Sequence, residues 1–383
     1  MKILLPVTHD LHRRNWLDSG AEAVLKARGH RVIVTYPVRR HPTIRRLLRL
    51  GSIVARARRG SRTYRHKLTL PRPLLDRAAI AAWHRTADPE GTARRIEARL
   101  PVPSEALNLL LGMRPNILLW PTLIHDDSAD DLVKAARRLG VPVIAAPASW
   151  DTLTTKGAFL VRPDALLVWG EVSARHAERD HGFARGASFT EGERWQVAVT
   201  GPPHWDHYAE PRAAKPRTKV LIAGTSVAYW QDEADLAGRL TENFPGRVIY
   251  RRHPRRGGEW SWKACLELRD QLDETTVVVA AFSTVIVEAA LQGVPSCIVE
   301  FGNGLPPLAE YEHMSDVISS DGVIRCDSYH FLKQAVNAIL MSGATEHGVH
   351  LSRAWARKVA DADGRCRERI AEALECYAAR GSF

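Results

Sequence analysis

Residues 275–302 read TTVVVAAFSTVIVEAALQGVPSCIVEFG. The run VVVAA is continuously apolar, valine-rich and too short for a helix, so it reads as a buried strand. FST makes a turn. VIVEAALQG then has helical spacing and closes on Gly293, the residue type that helix ends favour. PSCIVEF begins a second apolar strand. Strand, helix and strand in so short a space form a crossover unit, whose two strands lie parallel in one sheet.

The same alternation runs outward in both directions. KVLIAG, RVIYRRHP and GVIRC complete the strands of this half, while KILLPVT, RVIVTYP, NILLWPT, VPVIAAP, ALLVWG and RWQVAVTG supply those of the N-terminal half. EAVLKARGH and DLVKAARRLG are amphipathic helix patterns, each closed by glycine. Between the halves, HYAEPRAAKPRT (207–218) is polar and holds two prolines, as a linker would. The expected organisation is α/β, with two doubly wound Rossmann-like domains facing a cleft and helices at the C-terminus. The N-terminal domain spans 1–207, the linker 208–218 and the C-terminal domain 219–383. Open parallel sheets bind ligands beyond the carboxyl ends of their strands, so functional residues are sought in the loops that follow them.

A chain of 383 residues suits two domains, and 45% hydrophobic with 25% charged residues is the composition of an ordinary globular protein. Cys265, Cys297, Cys326, Cys366 and Cys376 are dispersed without the paired spacing of zinc sites, which fits reduced thiols. The start, MKILLPVTHD, is too short an apolar run for a signal peptide, and no stretch has the length of a membrane-spanning helix. A cytoplasmic protein is expected.

The net charge of +11 is concentrated. Residues 39–72, RRHPTIRRLLRLGSIVARARRGSRTYRHKLTLPR, contain no acid. On a helix, Ile44, Leu47, Leu48 and Val54 gather on one side and Arg45, Arg46, Arg49 and Arg56 fall largely elsewhere. That pattern fits a peripheral helix on an anionic membrane, or a solvated face. Tyr64 is nearly the sole aromatic residue there, so nucleic acid is not expected as a partner.

Three loops of the C-terminal half carry phosphate-compatible chemistry. Ser283 or Thr284 stands where a helix N-cap belongs, with Glu288 one turn on, in reach of a ribose hydroxyl. In VIYRRHPRR (248–256), Arg251, Arg252 and His253 emerge at a strand end, and Pro254 fixes the backbone that aims them. LIAGTSVAYW (221–230) adds Gly224, Thr225 and Ser226. Together they suggest a nucleotide's phosphates as ligand.

These motifs resemble those of the GT-B glycosyltransferase superfamily, and within it the CDP-glycerol glycerophosphotransferase and capsule-type transferase group. The carriers are YRRHP, with His253, and the pair Ser283 and Thr284 followed by the acid Glu288. Bacterial sialyl- and Kdo-transferases share the His-Pro and the Ser/Thr pair. The resemblance spans about residues 219–302. It implies a transferase using a nucleotide-activated donor, CDP- or CMP-linked rather than UDP-linked, and a glycan or lipid-linked acceptor. It also implies a basic diphosphate site in place of a metal, so neither metal nor cofactor is expected. The acceptor-side Trp-His-Gly of the glycerophosphotransferases is missing here.

In the N-terminal half, APASWDTLTTKGAF (146–159) follows the strand VPVIAA. It resembles a Ser-Trp-Asp-x-Leu-Thr segment in surface-carbohydrate proteins of the same superfamily. Asp151, the only acid in it, is the candidate general base for an acceptor hydroxyl, or else the cap of a short helix. Ser149, Trp150 and Lys156 are candidates for holding the acceptor. VTHDLHRRNW (7–16) offers His9 as the alternative base, with Asp10 and His12 beside it. IHDDSADD (124–131) fits a helix capped by Ser128, with Asp130 and Asp131 favoured by the dipole. Asp361 and Asp363 are expected in a terminal helix. His204 and Asp206, in TGPPHWDHY (200–208), occupy the expected hinge.

Two other readings compete. A nucleotide-sugar 2-epimerase of the same fold would be expected to carry an arginine-proline-glutamate motif after the first strand, and PVTHDLHRRN lacks it. A non-catalytic basic protein binding membrane or RNA would account for 39–72 but not for His253, Ser283, Thr284 and Glu288.

Overall fold

The computed structural model describes every residue except 38–41, 125–128, 186–195, 214, 226–229, 257–259, 304, 306, 321, 344 and 382–383. The chain forms two compact units, one of Met1–His204 together with Arg365–Phe383, the other of Trp205–Gly364.

The first unit contains strands β1 (Lys2–Pro6), β2 (Arg31–Thr35), β3 (Ile117–Thr122), β4 (Val143–Pro147), β5 (Ala165–Val168), β6 (Ala184–Arg185) and β7 (Gln196–Val199). They pair in the order β2-β1-β3-β4-β5-β7-β6, all parallel. β3, β4 and β5 are buried along their whole length, which is why they read as unbroken apolar runs rather than alternating ones. The second unit holds β8 (Lys219–Ala223), β9 (Val248–Arg251), β10 (Thr275–Ala280), β11 (Ser296–Val299) and β12 (Val323–Cys326) in the order β12-β11-β10-β8-β9, again all parallel. The strand and helix read from residues 275–302 are β10 and the Val285–Leu291 helix, and β11 follows.

Register fixes what shares an edge. Ala280 pairs with Ala223 and Ala223 with Arg251, so the carboxyl ends of β10, β8 and β9 lie in one row. The strand order turns back at β8, which is where a doubly wound sheet opens a crevice. In the first unit Thr122 pairs with Pro147, so β3 and β4 also end level.

Two expectations are corrected here. The C-terminal domain does not run to residue 383, because the Cys366–Arg380 helix belongs to the first unit. Ile370, Leu374 and Tyr377, at helical spacing, bury against Ile3, Leu5, Ile117 and Leu119 and cover a sheet face that would otherwise stay wet. Glu375 anchors the helix further, its Oε2 2.6 Å from Arg28 Nη2 and its Oε1 2.8 Å from His30 Nε2. Asp361 and Asp363 accordingly lie in the connection between the Glu346–Val359 and Cys366–Arg380 helices, not inside a helix.

The second correction concerns the basic segment. Helices Pro42–Arg58, Arg62–Thr69, Leu74–Trp83, Pro89–Arg99 and Ser104–Met113 form an insertion between β2 and β3. Arg45, Arg49 and Arg56 point inward and are at most 6% exposed. Arg45 Nη2 lies 2.5 Å from Asp131 Oδ1 and 3.1 Å from Glu97 Oε1, and Arg49 Nη2 lies 2.9 Å from Asp130 Oδ2. Lys134 adds a third cation, 3.4 Å from Glu97 Oε1. Burial opposes charge on Arg45, but the hydrogen bond to Asp131 and the charge of Asp130 outweigh it and hold the guanidinium above its ordinary value. Asp130 and Asp131 do open the Asp130–Arg138 helix as expected, yet they serve this ion cluster. Ser128, expected to cap that helix, lies outside the described residues.

Candidate active site

In the second unit, a buried glutamate organises the row of strand ends. Glu233 is fully buried at the start of the Glu233–Asn243 helix. Its Oε2 accepts from the Thr225 backbone N–H at 2.5 Å, and its Oε1 accepts from the Tyr250 hydroxyl at 2.7 Å. Arg256 Nη1 pairs with the same Oε1 at 3.3 Å and its Nη2 donates to the Trp230 carbonyl at 2.7 Å. Burial, then the hydrogen bond to Glu233, raises the Tyr250 hydroxyl above its usual value. The loop after β8 is thereby tied to the one after β9. Gly224 is required between them: a Cβ there would meet Glu233 Oε1 at 2.7 Å and the His253 backbone nitrogen at 3.0 Å.

The arginines of VIYRRHPRR therefore divide by role. The expectation that Arg251 meets phosphate is corrected, since its guanidinium donates to Gln271 Oε1 at 3.2 Å and to the Ala264 carbonyl at 2.6 Å, on the Trp262–Glu274 helix. Arg256 braces Glu233. Arg252 is exposed at the strand end. The partly buried His253 ring stands edge-on to Trp260, centroids 5.7 Å apart.

After β10, Thr284 occupies the N-cap position without a side-chain cap bond, whereas Ser283 Oγ accepts from the Val285 N–H at 3.3 Å. Glu288 is 7% exposed, and its Oε1 accepts from the Tyr208 hydroxyl at 2.8 Å. Burial, then the charge of Glu288, pushes the Tyr208 hydroxyl well above its usual value, so it remains a donor. Thr225 is buried, and what it gives Glu233 is its backbone N–H. Ser226 lies outside the described residues.

In the first unit, Asp151 stands in the turn after β4 and opens the short Thr152–Thr155 helix without a side-chain cap bond to its backbone. Its Oδ2 accepts from Thr155 Oγ1 at 2.8 Å and lies 3.5 Å from Lys156 Nζ. The Thr155 hydroxyl and the Lys156 ammonium both hold this partly exposed carboxylate. The Ser149 N–H donates to Thr152 Oγ1 at 3.2 Å, a turn-forming bond. The Trp150 side chain is buried, 4% exposed.

His9 is exposed and caps the Asp10–Arg13 helix, its Nδ1 accepting from the Leu11 N–H at 3.0 Å. His12 is buried against Thr8, Nδ1 2.9 Å from Oγ1. His204 and Asp206 are buried, and the His204 ring stands edge-on to Trp169. Among the described residues no group of three or more His, Cys, Asp or Glu side chains is placed to hold a metal ion.

No protein-family model matches the chain, and no curated protein sequence does. Solved structures match over nearly its whole length. The S. aureus MnaA co-structure with UDP aligns with a TM-score of 0.54 at 11% identity, covering 98% of this chain and 96% of that one. The UDP-GlcNAc 2-epimerase from Neisseria meningitidis bound to UDP-GlcNAc aligns at 0.53 and 10%, covering 98% and 100%. A further UDP-N-acetylglucosamine 2-epimerase aligns at 0.52 and 10%, covering 99% and 96%. The chain has the GT-B fold. At these identities the likeness is one of fold, and the function within the GT-B fold rests on the chain's own residues.

Several of those residues were not singled out by sequence reasoning. Glu233 reads as an ordinary first-turn acid of a helix, and Tyr208 as part of a linker. Lys67, which donates to the Thr155 carbonyl beside Asp151, is one cation among many in its segment.

Proposed function

We propose that the chain is a GT-B transferase that moves a group from a nucleotide-activated donor to a hydroxyl of a surface-glycan or lipid-linked acceptor. The second unit holds the donor and the first supplies the base. What carries this reading is the level row of strand ends, with Arg252 and His253 after β9 and Ser283 and Thr284 after β10 on either side of the Gly224 loop. Two strand spacings separate the outer loops, about 10 Å at ~4.8 Å each, a span suited to a diphosphate with its sugar or ribose. Arg252 supplies positive charge and His253 a hydrogen-bond donor to the phosphates, the part a metal takes elsewhere. Glu288, oriented by Tyr208, accepts from a ribose hydroxyl. Asp151 takes the acceptor's proton as the new bond forms and the nucleotide leaves.

The reaction takes place at the inner face of an anionic membrane. Among the described residues no helix is long and apolar enough to cross a membrane. Ile44, Leu74 and Leu75 are 42%, 79% and 50% exposed, and they flank the ion pair between Arg46 and Asp76, near the exposed Arg77. Exposed apolar side chains with arginines close by in the sequence suit an anionic lipid surface.

The deciding experiment is thermal stabilisation by CDP, CMP, UDP and GDP, on the native protein and on His253→Ala. A cytidine nucleotide should stabilise most, and the substitution should weaken binding by about 1–3 kcal/mol, the scale of a hydrogen bond to a charged group. Equal binding by His253→Ala would remove the donor assignment. Interconversion of a UDP-sugar with its 2-epimer in the absence of acceptor would identify an epimerase, the activity named for the structural neighbours.

A further inference from the structure

The turn that carries Asp151 is gripped by the helical insertion. The Tyr64 hydroxyl accepts from the Gly157 N–H at 2.8 Å, and Ser52 Oγ accepts from the Ala158 N–H at 3.2 Å. Lys67 Nζ donates to the Thr155 carbonyl and lies 5.9 Å from the centre of the Tyr64 ring. Arg72 Nη2 donates to the Lys67 carbonyl at 3.0 Å. Lys156, from the turn itself, lies 3.5 Å from Asp151 Oδ2. Lys67, Lys156 and Arg72 thus meet at the turn that carries Asp151.

Lys67 stands out among them. Burial, then the charge of Lys156, pulls its ammonium down to about 7, with Arg72 acting the same way and Asp151 opposing. The folded value is below the unfolded one, so the folded chain is the poorer proton binder. The resulting penalty on stability is full below about 7 and fades as pH rises toward the ordinary lysine range. A cation kept at a cost to the fold suggests a binding role.

We propose that Lys67, Lys156 and Arg72 form a subsite for a phosphate-type dianion borne by the acceptor, held beside Asp151. This deepens the transferase reading and rests on it. Each lysine has donors beyond the one already engaged, and Arg72 has nitrogens beyond the one bonded to Lys67. A dianion brings negative charge to these three cations. It also restores proton affinity to Lys67, so binding near neutral pH takes up a proton.

The test uses inorganic pyrophosphate as the probe and the whole chain throughout, in a His253→Ala background that weakens the nucleotide site. Pyrophosphate should raise the melting temperature of His253→Ala, with proton uptake seen by calorimetry in two buffers of different ionisation heat. The same chain with Lys67→Met and Lys156→Met should melt higher without ligand and gain nothing from pyrophosphate. An equal response from that triple variant would overturn the subsite, and so would loss of all response in His253→Ala alone, which would assign phosphate binding to the second unit. Should the triple variant not fold, acetylation of Lys67 in His253→Ala at pH 7.5, followed by mass spectrometry, gives the same answer: several-fold slower labelling with pyrophosphate supports the subsite, and unchanged labelling refutes it. Protection together with undiminished turnover by Asp151→Asn would leave the subsite standing while removing the base assignment.

Discussion

Arg45 gives the sharpest quantitative expectation. Its guanidinium is fully buried, among Glu97, Asp130 and Asp131, themselves at most 6% exposed. Arg49 and Lys134 bring the cluster to three cations and three carboxylates. Arg45→Met keeps most of the stem but leaves one negative charge in excess. Glu97 still has Lys134 and Asp130 still has Arg49, so Asp131 is orphaned. Removing one partner from a buried pair costs about 3–5 kcal/mol. For a unit of about 220 residues, each kcal/mol moves the melting temperature by about 2–4 °C, which places the loss at roughly 6–20 °C.

The control is the next residue along. Arg46 is 48% exposed at the side chain and pairs with Asp76 at 3.2 Å. A pair so placed is worth about 0–1 kcal/mol, so Arg46→Met should shift melting by no more than about 4 °C. Calorimetry reads the transition, and hydrogen exchange should place the loosening in residues 42–58 and 89–99. Adding Asp131→Asn to Arg45→Met should recover part of the loss, because the excess charge is gone. Equal, small shifts for Arg45→Met and Arg46→Met would refute the buried-cluster reasoning and return the segment to a solvated or lipid-facing role.

Three further outcomes are expected. Asp151→Asn should lower turnover by about 10²–10⁴-fold with donor affinity nearly unchanged, measured on one preparation; near-native turnover would exclude it as the base. Leu74→Asp with Leu75→Asp should abolish flotation with anionic vesicles at low salt while Arg45→Met leaves the vesicle-bound fraction of folded protein unchanged, and binding indifferent to the leucines would refute the surface. The hydrogen bond from Arg28, with His30 assisting, holds Glu375 at about 2. A depressed carboxylate stabilises above its unfolded value, so Glu375→Gln should melt below the native chain at pH 7 and converge with it as pH falls from about 5 toward 2; a gap independent of pH would refute the linkage.

What the sequence revealed, and what it hid, follow from the range of the interactions involved. Strands such as VVVAA and VPVIAA are local: burial on both faces makes them continuously apolar whatever lies beyond. Both sheets, and the loops after them, could be read for that reason. The course of the chain after residue 364 could not, because an apolar stripe on the Cys366–Arg380 helix does not say which of two open sheet faces it will cover. The arginines of residues 39–72 fail in the same way. Arg45, Arg49, Ser52 and Arg56 follow helical spacing, so a polar stripe was visible, and all four are buried. Glu97 and Asp131, 52 and 86 residues beyond Arg45, decide that the stripe faces inward. Local charge counting cannot see partners at such distance. The same stripe reaches the candidate base: Arg56 Nη1 lies 3.5 Å from the Leu153 carbonyl and Ser52 holds Ala158, on either side of Lys156. The segment whose pattern fits either a membrane-surface helix or a solvated face therefore bears on the turn that carries Asp151, and substitutions deep in the insertion should change turnover through the position of that carboxylate.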